Sequence, residues 1–223
     1  LQERIRQLAG EPLRKVEASI QTLQKASASR PDAYGYHSAI ADVPDVEKWV
    51  QVDLGSVQSI HQVRLWGCED DFNSIGAGFG FPLRFRIEAS SEATFTQEKH
   101  SLADYTQQDV TSPGAGVFET TFEPVQARYV RVTATQLAHR SNDFIFALAE
   151  LEVLDLGGNP LALGVPVKAL DSIEAPVRWA RSNLVDGKHV ESPSLSEDGR
   201  NLGELKEARQ ELLEKATQPE WSR

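Results

Sequence analysis

The sequence predicts a mainly β protein, an antiparallel sandwich or jelly roll with an α-helical segment at each end. Three observations predict it. Apolar residues recur at three- and four-residue spacing near both termini. They alternate with polar residues through most of the middle, and no helix-length pattern separates the alternating stretches.

Taken in order, Leu1, Ile5 and Leu8, then Leu13, Val16, Ile20 and Leu23, form one apolar stripe among charged residues, so 1–28 reads as a helical segment. "AGEP" at 9–12 interrupts it, because Pro12 lacks an amide donor and Gly10 is a poor helix former. The stripe suits one strand of a short coiled coil or a helical hairpin. "SASRPDAYGYHS" then switches to loop residues and opens the β region, 29–192. Within it "WVQVDLG" alternates and "SIHQVRLW" is strand-like. "LRFRIEAS" places Leu83, Phe85, Ile87 and Ala89 opposite Arg84, Arg86 and Glu88, while "RYVRVTAT" and "FIFALAELEVLDL" close the series. Beyond 193 helical character returns, with Leu202, Leu205, Ala208 and Leu212 on one side. If the terminal helices pair antiparallel, Leu8 and Leu212 are expected side by side.

Composition narrows the function. Hydrophobic residues make up 40% and charged residues 25% of the 223, ordinary globular values. A net charge of −10 argues against binding nucleic acid or an anionic membrane surface, which need basic patches. No apolar run is long enough for a membrane-spanning helix, so no membrane insertion is expected. With no Met and a start in mid-helix, the chain reads as a piece of a larger protein. Cys68 is alone, which excludes an internal disulfide and zinc-type cysteine spacing, and it is expected to pack at a strand end. "GAGFG" at 76–80 lacks the strand-to-helix context and the Lys of a phosphate loop. Glu69, Asp70 and Asp71 are consecutive and cannot face each other across a glycosidic bond. No catalytic residue is assigned.

Four ordered segments carry a family resemblance: "KWVQVDLGSVQSIHQVRLWG", "GFPLRFRIEAS", "ARYVRVTATQL" and "FALAELEVLD". Over 47–155 the chain resembles the discoidin, or coagulation factor 5/8 type C, domain, a galactose-binding-like jelly roll. The combination also looks like discoidin-type regions of planctomycete multidomain proteins and of some glycoside hydrolases acting on rhamnose-containing glycans. One departure stands out. Such domains open with a strand of the form "ALG-x-x-V-x-A", a polar loop with Trp and an Asp-Gly turn, and here that part follows the closing strand, in "ALGVPVKALDSIEAPVRWARSNLVDG" at 162–187. Either a truncated second copy begins at 159, or the domain is circularly permuted and 159–190 supplies its first strand. Permutation is favoured, because a half-domain would leave an apolar strand edge and Trp179 exposed. It requires Val165, Val167 and Trp179 to be buried.

The resemblance implies ligand binding by loops at one end of the sandwich, with a sugar as ligand in bacterial members. Sugars need an aromatic face and planar polar groups. "GCEDDFNSIGAGFGFP" offers Asp70, Asp71, Phe72, Asn73 and Phe79. "AHRSNDF" offers His139, Arg140, Asn142, Asp143 and Phe144, and "YGYHS" offers Tyr34, Tyr36 and His37. The ligand-binding set is therefore Tyr36, His37, Asp70, Asp71, Asn73, Phe79, Arg140, Asn142 and Phe144. The competing reading is that these are ordinary turns, with Phe79 or Phe144 plugging the core. The resemblance also implies a Ca²⁺ site from Asp186, in the Asp-Gly turn, and Glu150, in the closing strand, completed by carbonyls near Ala147 and Lys188. "KHVESP" after the turn departs from the family there. The function implied is a non-catalytic carbohydrate-binding module, periplasmic or secreted, that targets a larger protein to polysaccharide. The alternative is a structural or protein-interaction module, with the helices mediating self-association or contact with other domains of the parent chain.

Overall fold

The computed structural model describes residues 2–27, 33–190 and 202–217, with side chains over 10–22, 33–190 and 204–215. The chain divides into two compact units, Leu1–Arg30 with Glu191–Arg223, and Pro31–Val190.

The first unit pairs α1 (Gln2–Ser27) with α2 (Leu202–Thr217). Gly10, at φ 60° and ψ −148°, breaks α1 two residues before Pro12, where the sequence interrupts the apolar stripe. Val16, Ile20 and Leu205 are buried together, and Arg209 reaches Glu17 at 3.4 Å. Leu212, expected beside Leu8, packs on this cluster; the Leu8 side chain lies outside the described residues.

The second unit is an antiparallel β-sandwich. Its strands are β1 (Tyr36–His37), β2 (Lys48–Trp66), β3 (Cys68–Asp70), β4 (Gly76–Phe79), β5 (Arg84–Ser90) and β6 (His100–Asp104). There follow β7 (Val117–Gln136), β8 (Ala138–His139), β9 (Phe144–Ile145), β10 (Ala147–Leu148), β11 (Glu150–Leu154) and β12 (Val167–Ala169). The main sheet runs β11-β2-β7-β5-β6, with β12 also on β2. The two stretches "WVQVDLG" and "SIHQVRLW" are halves of the single strand β2, which shifts register against β7 between Asp53 and Gln58. That irregularity lets both halves serve one core: Val50 and Val52 before it, Ile60, Val63 and Leu65 after it, closed by Phe85, Ile87, Val130, Val132 and Leu151.

The segment after β11 completes the sheet. β12 pairs antiparallel with β2, Val167 opposite Val52 and Ala169 opposite Val50. Just beyond it, Asp171 joins three parts of the fold. Its carboxylate accepts from the Ala39 amide at 2.8 Å and from Lys48 Nζ, and its carbonyl accepts from the Tyr36 hydroxyl at 3.1 Å. Trp179 is buried at 7% exposure, whereas Val165 and Val167, expected to be buried, are half-buried against the core. They lie where the segment crosses the rim of the sheet, so each keeps one flank in water.

β1 approaches the closing strands so tightly that Gly35 cannot carry a side chain. Its φ is +115°, and a Cβ there would collide with the Leu148 carbonyl and with Ala149. This closeness fixes Tyr34 and His37 on either side of it.

Because β12 covers an otherwise bare stretch of β2, replacing 159–190 by a short flexible linker should abolish cooperative thermal unfolding of the β unit. A separate truncated repeat would leave that transition in place. Asp171→Ala, which strands the buried Lys48 ammonium, should cost about 2 kcal/mol in denaturant unfolding.

Candidate ligand-binding site

Two hairpins and the short strand β1 come together at one place in the sandwich. In the first hairpin β3 pairs with β4, Cys68 opposite Phe79 and Asp70 opposite Gly76. A 3₁₀ turn at Phe72–Ser74 joins them, with Asn73 and Ser74 in the left-handed region at φ 51° and 61°. Asp70 starts the turn by accepting from the Phe72 amide at 3.0 Å. The result holds the Phe72 ring 46% exposed. The stretch expected among the ligand-binding loops is thus a hairpin with a defined tip.

The second hairpin pairs β8 with β9, and its turn is closed by the Arg140 amide donating to the Asp143 carbonyl at 2.9 Å. Arg140 also donates through Nε and Nη2 to the two oxygens of Asp143, at 2.9 and 2.6 Å. Its guanidinium carbon lies 4.7 Å from the Phe72 ring centroid, and Asn73 Nδ2 donates to the Arg140 carbonyl at 3.1 Å. Each hairpin therefore steadies the tip of the other. The doubly bonded Arg140 holds the Asp143 carboxyl below its ordinary range, and Asp143 in turn raises the Arg140 pKa.

β1 supplies the floor. His37 is buried at 3% exposure, its ring edge-on to Trp179 at 5.0 Å and 5.7 Å from Phe79. Nδ1 donates to the Ser38 carbonyl at 2.6 Å, which leaves the lone pair on Nε2. Burial pushes the His37 pKa down, and the Arg140 charge adds to this, while the Ser38 carbonyl, Asp70 and Asp143 oppose it. The ring is neutral, an acceptor beside the donors of Arg140.

The structure brings His37, Asp70, Asn73 and Arg140 together, with Phe72 and Asp143 completing the group. Asp71 precedes the 3₁₀ turn, and Asn142 sits exposed at the tip of the second hairpin. Three of the expected ligand residues take part in packing. Tyr36 is fully buried in the main core, Phe79 at 2% exposure lies in a second cluster with Cys68 and Trp179, and Phe144 packs half-buried against the main core beside His139. These rings hold the hairpins from beneath. Residues 174–183, outside the three expected loops, also border this region: Trp179 touches both His37 and Tyr34, the latter at 5.5 Å.

The expected metal pair lies elsewhere, where β11 meets the Asp-Gly turn. Glu150 is 2% exposed; its Oε1 accepts from the Gly187 amide at 3.0 Å, and its Oε2 is buried with no hydrogen-bond partner. Burial raises its pKa to about 8, with the negative charges of Asp186 and Glu152 adding and the amides of Gly187 and Asp186 opposing. Asp186 accepts from the Lys188 amide at 3.0 Å. Among the described residues no three His, Cys, Asp or Glu cluster as a metal site, so a cation here would need backbone carbonyls as well. No described helix is long and apolar enough to cross a membrane.

A family model described as the F5/8 type C domain matches residues 16–150, more than half of the chain. No curated protein matches it. Among solved structures, chitosan-binding module 1 of a chitosanase/glucanase from Paenibacillus sp. IK-5 is 23% identical, with 50% of this chain and 71% of that one covered at a TM-score of 0.35. CBM32-3 of a family 31 glycoside hydrolase from Clostridium perfringens is 17% identical, covering 52% and 71% at 0.41. The family 32 CBM of C. perfringens NanJ, in complex with galactose, is 19% identical, covering 50% and 69% at 0.37.

The state of Glu150 makes stability depend on pH. With a folded pKa of about 8 against an ordinary 4.5, the folded chain holds more protons than the unfolded one between those values. In chelator, the contribution of Glu150 to stability should be full below pH 4.5 and fall by an amount on the order of a few kcal/mol as pH rises through about 8. Glu150→Gln should flatten that slope in denaturant unfolding.

Proposed function

The chain belongs to the F5/8 type C family, and from that premise we propose that it is a non-catalytic carbohydrate-binding module. It holds a glycan on the paired hairpins and so targets a larger protein to polysaccharide, outside the cytoplasm. The observation that carries this reading is Arg140, laid on Phe72 and bonded through Nε and Nη2 to the two oxygens of Asp143. An arginine so neutralised offers its remaining Nη1 donors to a hydroxyl without demanding a charged partner. His37 Nε2 accepts beside it, and the exposed Phe72 ring offers a surface for the C–H face of a sugar. Donor, acceptor and ring are already fixed, so little ordering entropy is lost on binding.

We infer also that Ca²⁺ binds between Glu150 and Asp186. The buried, unpartnered Oε2 of Glu150 is an oxygen with no other use, and the two carboxylates lie close enough for one to raise the pKa of the other. Carbonyls near Ala147 and Lys188 would complete the oxygens a calcium ion needs. The ion would neutralise this repulsion, and the residues would hold the Asp-Gly turn to β11. The family match ends at residue 150, and β12 lies antiparallel on β2, which supports reading 159–190 as the family's opening strand displaced by circular permutation. The linker replacement described for the fold tests that reading.

On a broad glycan array the chain should bind a defined subset of glycans. Phe72→Ala and Arg140→Ala should each weaken titrated binding about tenfold or more while the melting temperature holds. Silence across the array from folded protein would overturn the carbohydrate reading in favour of a structural or protein-interaction module. Calcium should raise the melting temperature at neutral pH, and not that of Glu150→Gln; a calcium-insensitive wild type rules the site out.

A further inference from the structure

A second arginine lies on an aromatic ring beside the same site, and it differs from Arg140 in one respect. The Arg178 guanidinium carbon sits 4.8 Å from the Tyr34 ring centroid. The β unit has eight arginines over 33–190. Six of them are ion-paired with carboxylates. Arg131, stacked on Trp49 and Phe95, donates to Gln51 and to the Ala93 carbonyl. Arg178 alone has no acceptor for its guanidinium among the described residues, in a chain whose net charge is −10.

Its backbone is nonetheless held on all sides. Ala175 and Trp179 exchange both amide-to-carbonyl bonds, at 2.8 and 3.0 Å, and the Glu174–Arg181 ion pair at 2.8 Å closes the base of this turn. Asn183 Nδ2 donates to the carbonyls of Val177 and Arg178 at 2.9 and 3.3 Å, and the Tyr34 amide donates to Arg178 at 2.7 Å. The backbone is held, and the guanidinium lies on the Tyr34 ring with its donors unspent. Between its Tyr34 ring and His37 stands the Trp179 indole, edge-on to Tyr34 at 5.5 Å and to His37 at 5.0 Å.

We infer that Arg178, on its Tyr34 ring, binds the anionic substituent, carboxylate or sulfate, of a glycan whose neutral ring occupies the Arg140–Phe72 site. The inference rests on the carbohydrate reading and divides the work between the two arginines. Arg140 has spent its charge on Asp143 and reads hydroxyls. Arg178 has not, and a free planar fork is matched to two oxygens of one oxyanion. The site therefore selects acidic over neutral glycans although the chain as a whole is acidic.

The test is titration of the whole chain with three probes of similar length: a neutral galacto-oligosaccharide, an oligogalacturonate and a sulfated galactan oligosaccharide. The readout is the ratio of anionic to neutral affinity. In the wild type it should be about tenfold for at least one anionic probe in low salt and shrink in high salt. The probe with the larger ratio tells carboxylate from sulfate. In Arg178→Gln the ratio should fall to about one, and Arg178→Lys, which keeps the charge and loses the fork, should fall between. A wild-type ratio of one or less, or an unchanged ratio in a folded Arg178→Gln, overturns the inference while leaving glycan binding intact. Failure of the wild type to bind any probe, together with a silent array, would instead remove the carbohydrate reading beneath it.

Discussion

The long edge of β2 is the constraint on which the rest of this fold depends. One side of the strand is taken along its length by β7. The other is shared: β11 pairs with residues 62–66 and β12 with residues 50–52. A bare edge here would expose unsatisfied amides and carbonyls directly beside the main core. Covering it brings residues 162–190 back across the unit, where Asp171 ties them to Lys48, Ala39 and Tyr36. The same return carries Trp179 under His37 and Arg178 over Tyr34. A backbone requirement thus delivers side chains to the end where the two hairpins meet.

That end is built from mutual restraint. Phe72 would be an exposed ring on a three-residue turn were it not covered on one side by Arg140, and Arg140 is aimed by Asp143 and by Asn73. His37 contributes by being uncharged, since an imidazolium there would compete with Arg140 for the same carboxylates. Arg140 and His37 are each held by a partner within the protein and keep a remaining donor or acceptor, the arrangement a hydroxyl-rich ligand requires.

Much of this was legible in the sequence, for reasons that differ by residue. Strands were readable because alternation reports a half-buried surface, as in "LRFRIEAS", where Phe85, Ile87 and Ala89 are all fully buried. The joining of two stretches into β2 was not readable, because "DLGS" carries the signature of a turn and only pairing with β7 carries the strand through it. Aromatic residues in the binding loops were the harder case. Phe72 and Phe79 stand in one hairpin, and composition treats them alike. The difference is set by pairing: Phe79 lies opposite the buried Cys68, next to Gly80, where a Cβ would press on Ala147, whereas Phe72 is at the tip. Arg178 escaped notice because its turn lies far along the chain from the loops it joins.

Cys68 gives the site an internal reporter. It is the only cysteine, it is buried at 1% exposure, and burial pushes its thiol pKa well up, so in the closed hairpin it is inert to alkylating dyes. It is also the residue opposite Phe79, in the cluster that includes Trp179. A dye can reach it only when this cluster loosens, so the rate of labelling under native conditions counts the openings of the packing on which the hairpin that presents Phe72 is seated. Slower labelling in the presence of a bound molecule would be a kinetic record of occupancy, obtained without altering a single residue.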